Sequence, residues 1–117
     1  MRTLLTVCTL AGVLGLTGLT MAAAEKGASG RDLYRNHCKP CHEAASPNGE
    51  YTPMTLIQDQ WKRFFDEKYE ATHRDVVDAK HGGRKVVDVI APDMLEKIRR
   101  FAIDHAADSE HPMTCGH

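Results

Sequence analysis

The sequence predicts an all-α domain of about three main helices, and three observations carry that prediction. Apolar residues recur at spacings of three and four in two long stretches, Ile57 to Tyr69 and Leu95 to His105. Helix-start signatures precede three segments: Ser29 ahead of Asp32, Thr55 ahead of Gln58, and Pro92 at a first helical position. No run alternates apolar and polar residues convincingly enough to support a sheet, and no internal repeat is visible. At 117 residues, 42% hydrophobic and 26% charged, the protein has room for one domain.

The N-terminal segment stands apart from that domain. Arg2 precedes an uncharged run from Thr3 to Ala24, apolar in its middle and ending in Ala22-Ala23-Ala24 before Glu25. A basic start, an apolar centre and small residues ahead of a polar one make a secretory signal peptide, so residues 1–24 are expected to be cleaved and the domain to span 25–117. The competing reading is a retained anchor, because the run is about long enough to cross a bilayer, but its Gly and Thr dilute the hydrophobicity. Export implies a periplasmic protein with no stable membrane association after cleavage, and Cys8 leaves with the signal. Dropping Arg2 from 15 basic residues leaves 14 against 16 acidic ones, a weakly acidic domain without the basic field that nucleic acid demands. So small a domain is expected to draw part of its core from a staple, a metal or a cofactor.

Within the mature protein, Ser29 opens the first helix, which runs through Leu33 and Tyr34 toward Cys38. Pro40, Pro47, Asn48-Gly49 and Pro53 signal the loop that follows. The second helix starts after the Thr55/Gln58 pair and lays Ile57, Trp61, Phe64, Phe65 and Tyr69 along one face. Between Glu70 and Ala91 the pattern weakens, with a turn at His81-Gly82-Gly83 and a short helix or extended piece over Val86 to Ile90. The third helix begins at Pro92, carries Leu95, Ile98, Phe101, Ala102 and His105 inward and ends near Ala107. Residues 108–117 lack periodicity and are expected to form a coil tail.

Cys38-Lys39-Pro40-Cys41-His42 carries the chemistry. In an exported protein the pattern C-x-x-C-H reads as a c-type haem attachment site: two thiols about one helical turn apart reach the two vinyl groups of a haem, and the next imidazole meets the iron. A thioredoxin-like pair, a zinc half-site and a plain disulfide are the alternatives. The first belongs beside a βαβ pattern and the second needs further ligands at zinc spacing, neither of which is convincing here.

Through these residues the protein resembles the small class I monohaem c-type cytochromes over roughly residues 29–107, with the helix order as generic support. The resemblance implies a cytochrome c-like fold around one haem c, covalently attached via Cys38 and Cys41, with His42 as proximal iron ligand and the Pro47 carbonyl as a candidate partner for its imidazole. It implies a periplasmic electron-transfer protein cycling between Fe(III) and Fe(II), serving redox partner proteins and catalysing no reaction itself. A haem-based sensor with a displaceable distal ligand and a cytochrome subunit of a dehydrogenase or reductase complex are the alternative functions.

The distal ligand decides among them, because methionine ligation raises the reduction potential and an open position admits ligands. His73, at the end of the aromatic helix, is the first candidate and Met54 the next; Met94 and the tail's Met113 fit less well. His37, His81, His111 and His117 are expected on the surface, and His105 packed in the core. Cys115 is the odd cysteine, a surface thiol available for a disulfide dimer in an oxidising compartment. Lys62, Arg63, Lys80, Arg84, Lys85, Arg99 and Arg100 alternate with acids, as on a solvated surface.

Overall fold

The computed structural model describes residues 27–114. The expected signal peptide, Cys8, Cys115 and His117 lie outside them. Helix α1 covers residues 30–42 as an α-turn (Gly30–Leu33), a π-turn (Tyr34–Cys38) and a second α-turn (Lys39–His42). Ser29 caps it: its hydroxyl accepts from the Asp32 N–H at 3.2 Å and donates to the Asp32 carboxylate at 2.7 Å. Helix α2 covers residues 58–73 on the same plan, α-helical over Gln58–Arg63, π over Phe64–Lys68 and α-helical again over Tyr69–His73. Each π-turn winds more residues into one turn and re-aims the side chains after it.

The start of α2 differs from the expected Thr55 cap. Thr52 and Thr55 instead close a 3-10 turn, Pro53–Thr55, in which the Thr52 N–H donates to Thr55 Oγ1 at 2.9 Å. Ile57 stands at the N-cap of α2 and its N–H donates to Gln60 Oε1 at 3.1 Å. A residue before the first helical turn does not follow the helix's face, so Ile57 is exposed while Trp61 and Tyr69 are buried.

A two-stranded antiparallel hairpin, β1 (Val77–Asp78) and β2 (Arg84–Lys85), pairs Val77 with Lys85 and Asp78 with Arg84. It was not expected, because two-residue strands are too short to show alternation. Its connection is the 3-10 turn Ala79–His81 followed by Gly82 and Gly83, both at positive φ, where a side chain would be strained. Helix α3 (Val86–Val89) and helix α4 (Pro92–Asp104) complete the order, with Pro92 in the first turn of α4 as expected and His105 at its C-cap. The tail residues up to Thr114 are irregular yet pinned. Asp108 accepts from the Gln58 N–H at 2.8 Å, and the Met113 N–H donates to the His105 carbonyl at 3.1 Å.

The core forms where α1 crosses α4. Leu33, Tyr34, Met94, Ile98 and Phe101 pack with Val86 and Ile90, and Trp61 joins Ala102 and Ala106 in a second cluster. Leu33 and Ile98 are fully buried, each contributing about 1.5–3 kcal/mol of transfer free energy. The crossing requires Gly30, since a Cβ there would strike the Lys97 carbonyl oxygen and stand 2.9 Å from Phe101 Cβ. The result is a mostly helical molecule, and among the described residues no helix is long and apolar enough to cross a membrane.

Candidate functional site

A cavity of about 650 Å³ opens between α1, α2 and α4, within the range of sites that bury a cofactor-sized molecule. Cys38, Cys41 and His42 line one wall, and Trp61, Phe64, Phe65, Tyr69 and His73 another, with Val86, Ile90, Ile98 and Ala102 also in the lining. The aromatic stripe of α2 thus faces a cavity as well as a core, and its rings stack in sequence, Trp61 on Phe65 at 5.8 Å and Tyr69 on His73 at 4.8 Å between centroids.

The loop after the motif folds back to hold His42. Ser46 donates to the Cys41 carbonyl at 2.5 Å and accepts from the Asn48 N–H at 3.2 Å, and the Gly49 N–H returns to the Ser46 carbonyl at 3.1 Å. This turn sets the Gly49 carbonyl 3.1 Å from His42 Nδ1. A carbonyl only accepts, so Nδ1 carries the proton and the lone pair of His42 lies on Nε2. The expected partner was Pro47; that residue is exposed and the bond goes to Gly49, whose positive φ of 85° re-aims the backbone.

His73 is built the same way. Its Nδ1 lies 2.9 Å from the Tyr69 carbonyl one turn earlier, which again leaves the lone pair on Nε2. The rings of His42 and His73 face each other in a tilted, edge-on arrangement with centroids 6.1 Å apart. Two imidazoles gripping one metal from opposite sides, with bonds of about 2 Å each, have centroids roughly this far apart. Burial holds His73 below the ordinary imidazole range, against the opposing pull of its bond to the Tyr69 carbonyl and with a lesser lowering from the nearby His42, which favours the neutral, ligating form of the ring. Met54 is exposed and lines an adjoining pocket of about 620 Å³ that shares Tyr34, His42 and Tyr51 with the main cavity, while Met94 is buried in the α1–α4 core; neither is among the residues that line the main cavity.

No disulfide joins Cys38 and Cys41. Burial, followed by the neighbouring Cys41, pushes the Cys38 thiol up to about 12, the opposite of the lowered value that makes a dithiol reactive. The Tyr69 hydroxyl is buried on the cavity wall, is pushed up to about 12 by burial, and has no hydrogen-bond partner among the described residues. An orphaned hydroxyl of this kind costs about 1–3 kcal/mol until something in the cavity meets it. Two adjacent thiols, two opposed imidazoles, an aromatic wall and an unmet hydroxyl together fit a flat, apolar, metal-centred cofactor.

Sequence reasoning missed one histidine. His37, expected on the surface, is buried, with its ring centroid 4.4 Å from that of the half-buried His81. Their contact depends on the hairpin, whose His81-Gly82-Gly83 turn is visible in the sequence but whose two-residue strands are not. No family model matches the protein, and no solved structure matches it.

Proposed function

We propose that this cavity holds one haem c, linked through thioethers to Cys38 and Cys41, and that the protein is a periplasmic one-electron carrier in which His42 and His73 would bind the iron. The observation that carries this reading is the pairing of His42 with His73 across the cavity, each with Nδ1 held by a backbone carbonyl. Haem iron supplies one-electron chemistry between its ferric and ferrous states. The protein's own residues do the rest. Cys38 and Cys41 fix the group covalently, and the Gly49 and Tyr69 carbonyls orient the two imidazoles and raise their basicity. Trp61, Phe64 and Phe65 would exclude water, and the buried Tyr69 hydroxyl, unpartnered among the described residues, would be free to meet a polar atom of the group. Two imidazoles already oriented by backbone carbonyls would hold the group with little rearrangement, as a carrier requires.

The test is absorption spectroscopy of the protein matured with a c-type haem assembly system, recorded oxidised, reduced, and reduced under carbon monoxide. The expected result is a low-spin spectrum without a methionine–iron band, unchanged by carbon monoxide. His73→Ala should then open the site and admit carbon monoxide. Ready binding to the unaltered protein would transfer the assignment to a ligand-binding sensor, and failure to attach haem would overturn the cofactor itself.

A further inference from the structure

A second group of polar side chains reaches the edge of the cavity, where His37 lines it, and is not used by the reading above. His37 of α1, Asp78 of β1 and His81 of the following 3-10 turn each offer one ligand atom, and these atoms all lie within 4.8 Å of one another. His37 is 5% exposed and Asp78 8% exposed; a carboxylate is seldom buried so far unless it is paired.

We propose that His37, Asp78 and His81 form a second metal site, one that takes a zinc-class divalent cation. The donor set selects the ion class. Two imidazole nitrogens and one carboxylate oxygen suit zinc, whereas magnesium and calcium take oxygen ligands almost exclusively. The carboxylate is already aimed: Asp78 Oδ1 accepts from the N–H groups of Lys80 and His81 at 3.0 and 3.1 Å, while Oδ2 lies 2.7 Å from His81 Nδ1. Ligands about 2 Å from one tetrahedral ion stand roughly 3.3 Å apart, so the three groups, already within 4.8 Å of one another, would draw together around it. Three protein ligands leave the fourth position to water, which the half-buried His81 side can admit. His37 precedes Cys38, so the ion would tie the motif-bearing helix to the β1–β2 hairpin.

The test is zinc titration by calorimetry on the purified exported protein, unaltered and as His81→Gln and Asp78→Asn, with far-UV circular dichroism to check folding. Zinc X-ray absorption on the unaltered protein identifies the bound atoms without any substitution. The expectation is about one zinc per molecule in a nitrogen–oxygen shell, with affinity lowered at least about 10-fold in each folded variant. Absence of zinc binding, sulfur in the shell, or affinity unchanged in a folded variant would overturn the site. The loss of zinc affinity in folded His81→Gln and Asp78→Asn reads this site alone, whether or not haem occupies Cys38, Cys41, His42 and His73, so this proposal and the carrier reading stand or fall separately.

Discussion

Gly49 decides which nitrogen of His42 faces the cavity. Its carbonyl takes the Nδ1 proton because the backbone turns through φ +85°, and a Cβ there would also stand 3.0 Å from the Tyr51 ring. Gly49→Ala should cost about 1–2 kcal/mol from the left-handed conformation alone, read as a lowered thermal midpoint. His73 carries a pH signature. Its folded value lies below the ordinary 6.5, so between the two values the unfolded state binds more protons than the folded one. Stability contributed by the neutral ring is present above about pH 6.5 and is lost as pH falls toward the lowered folded value. For the haem-free protein, the urea midpoint should fall from about pH 7 to about pH 5, and His73→Gln should flatten that slope. Cys38 gives a third prediction. With its thiol near 12, alkylation followed peptide by peptide in the folded haem-free protein should keep accelerating beyond about pH 9; a plateau there would contradict the buried setting.

Capping residues and helix periods act over three or four positions, so the elements they define were legible in the sequence. Ser29 and Pro92 stand where the sequence put them, and the aromatic stripe of α2 was readable from Trp61 onward. Ser29→Ala should cost about 1 kcal/mol through loss of the Asp32 N–H bond, measured by denaturant titration. Features that depend on distant segments were not legible. The hairpin is too short to alternate, the start of α2 rests on Gln60 rather than Thr55, and the two π-turns have no compositional mark. Yet those π-turns immediately precede the ends of the helices that carry His42 and His73. The five-residue motif was readable because its geometry is local. The angle at which His73 meets it belongs to the fold.

At the scale of the whole molecule, one crossing organises everything else. The N-terminal turn of α1 lies against the middle of α4, Gly30 under Lys97 and Phe101, and the Lys97 ammonium donates to the Ala28 carbonyl at 3.3 Å. Gly30→Ala must push the helices apart or bend one of them, and should cost about 1–3 kcal/mol, read as a lowered denaturant midpoint. The Lys97–Ala28 contact joins positions 69 residues apart in sequence. Closing so long a loop costs entropy before any burial repays it. While the polypeptide is being made, the first helix therefore has no partner until the last has emerged. Until the crossing closes, Cys38 lacks the α1–α4 core it packs against in the folded molecule, so its sulfur is most open to reagents before folding ends.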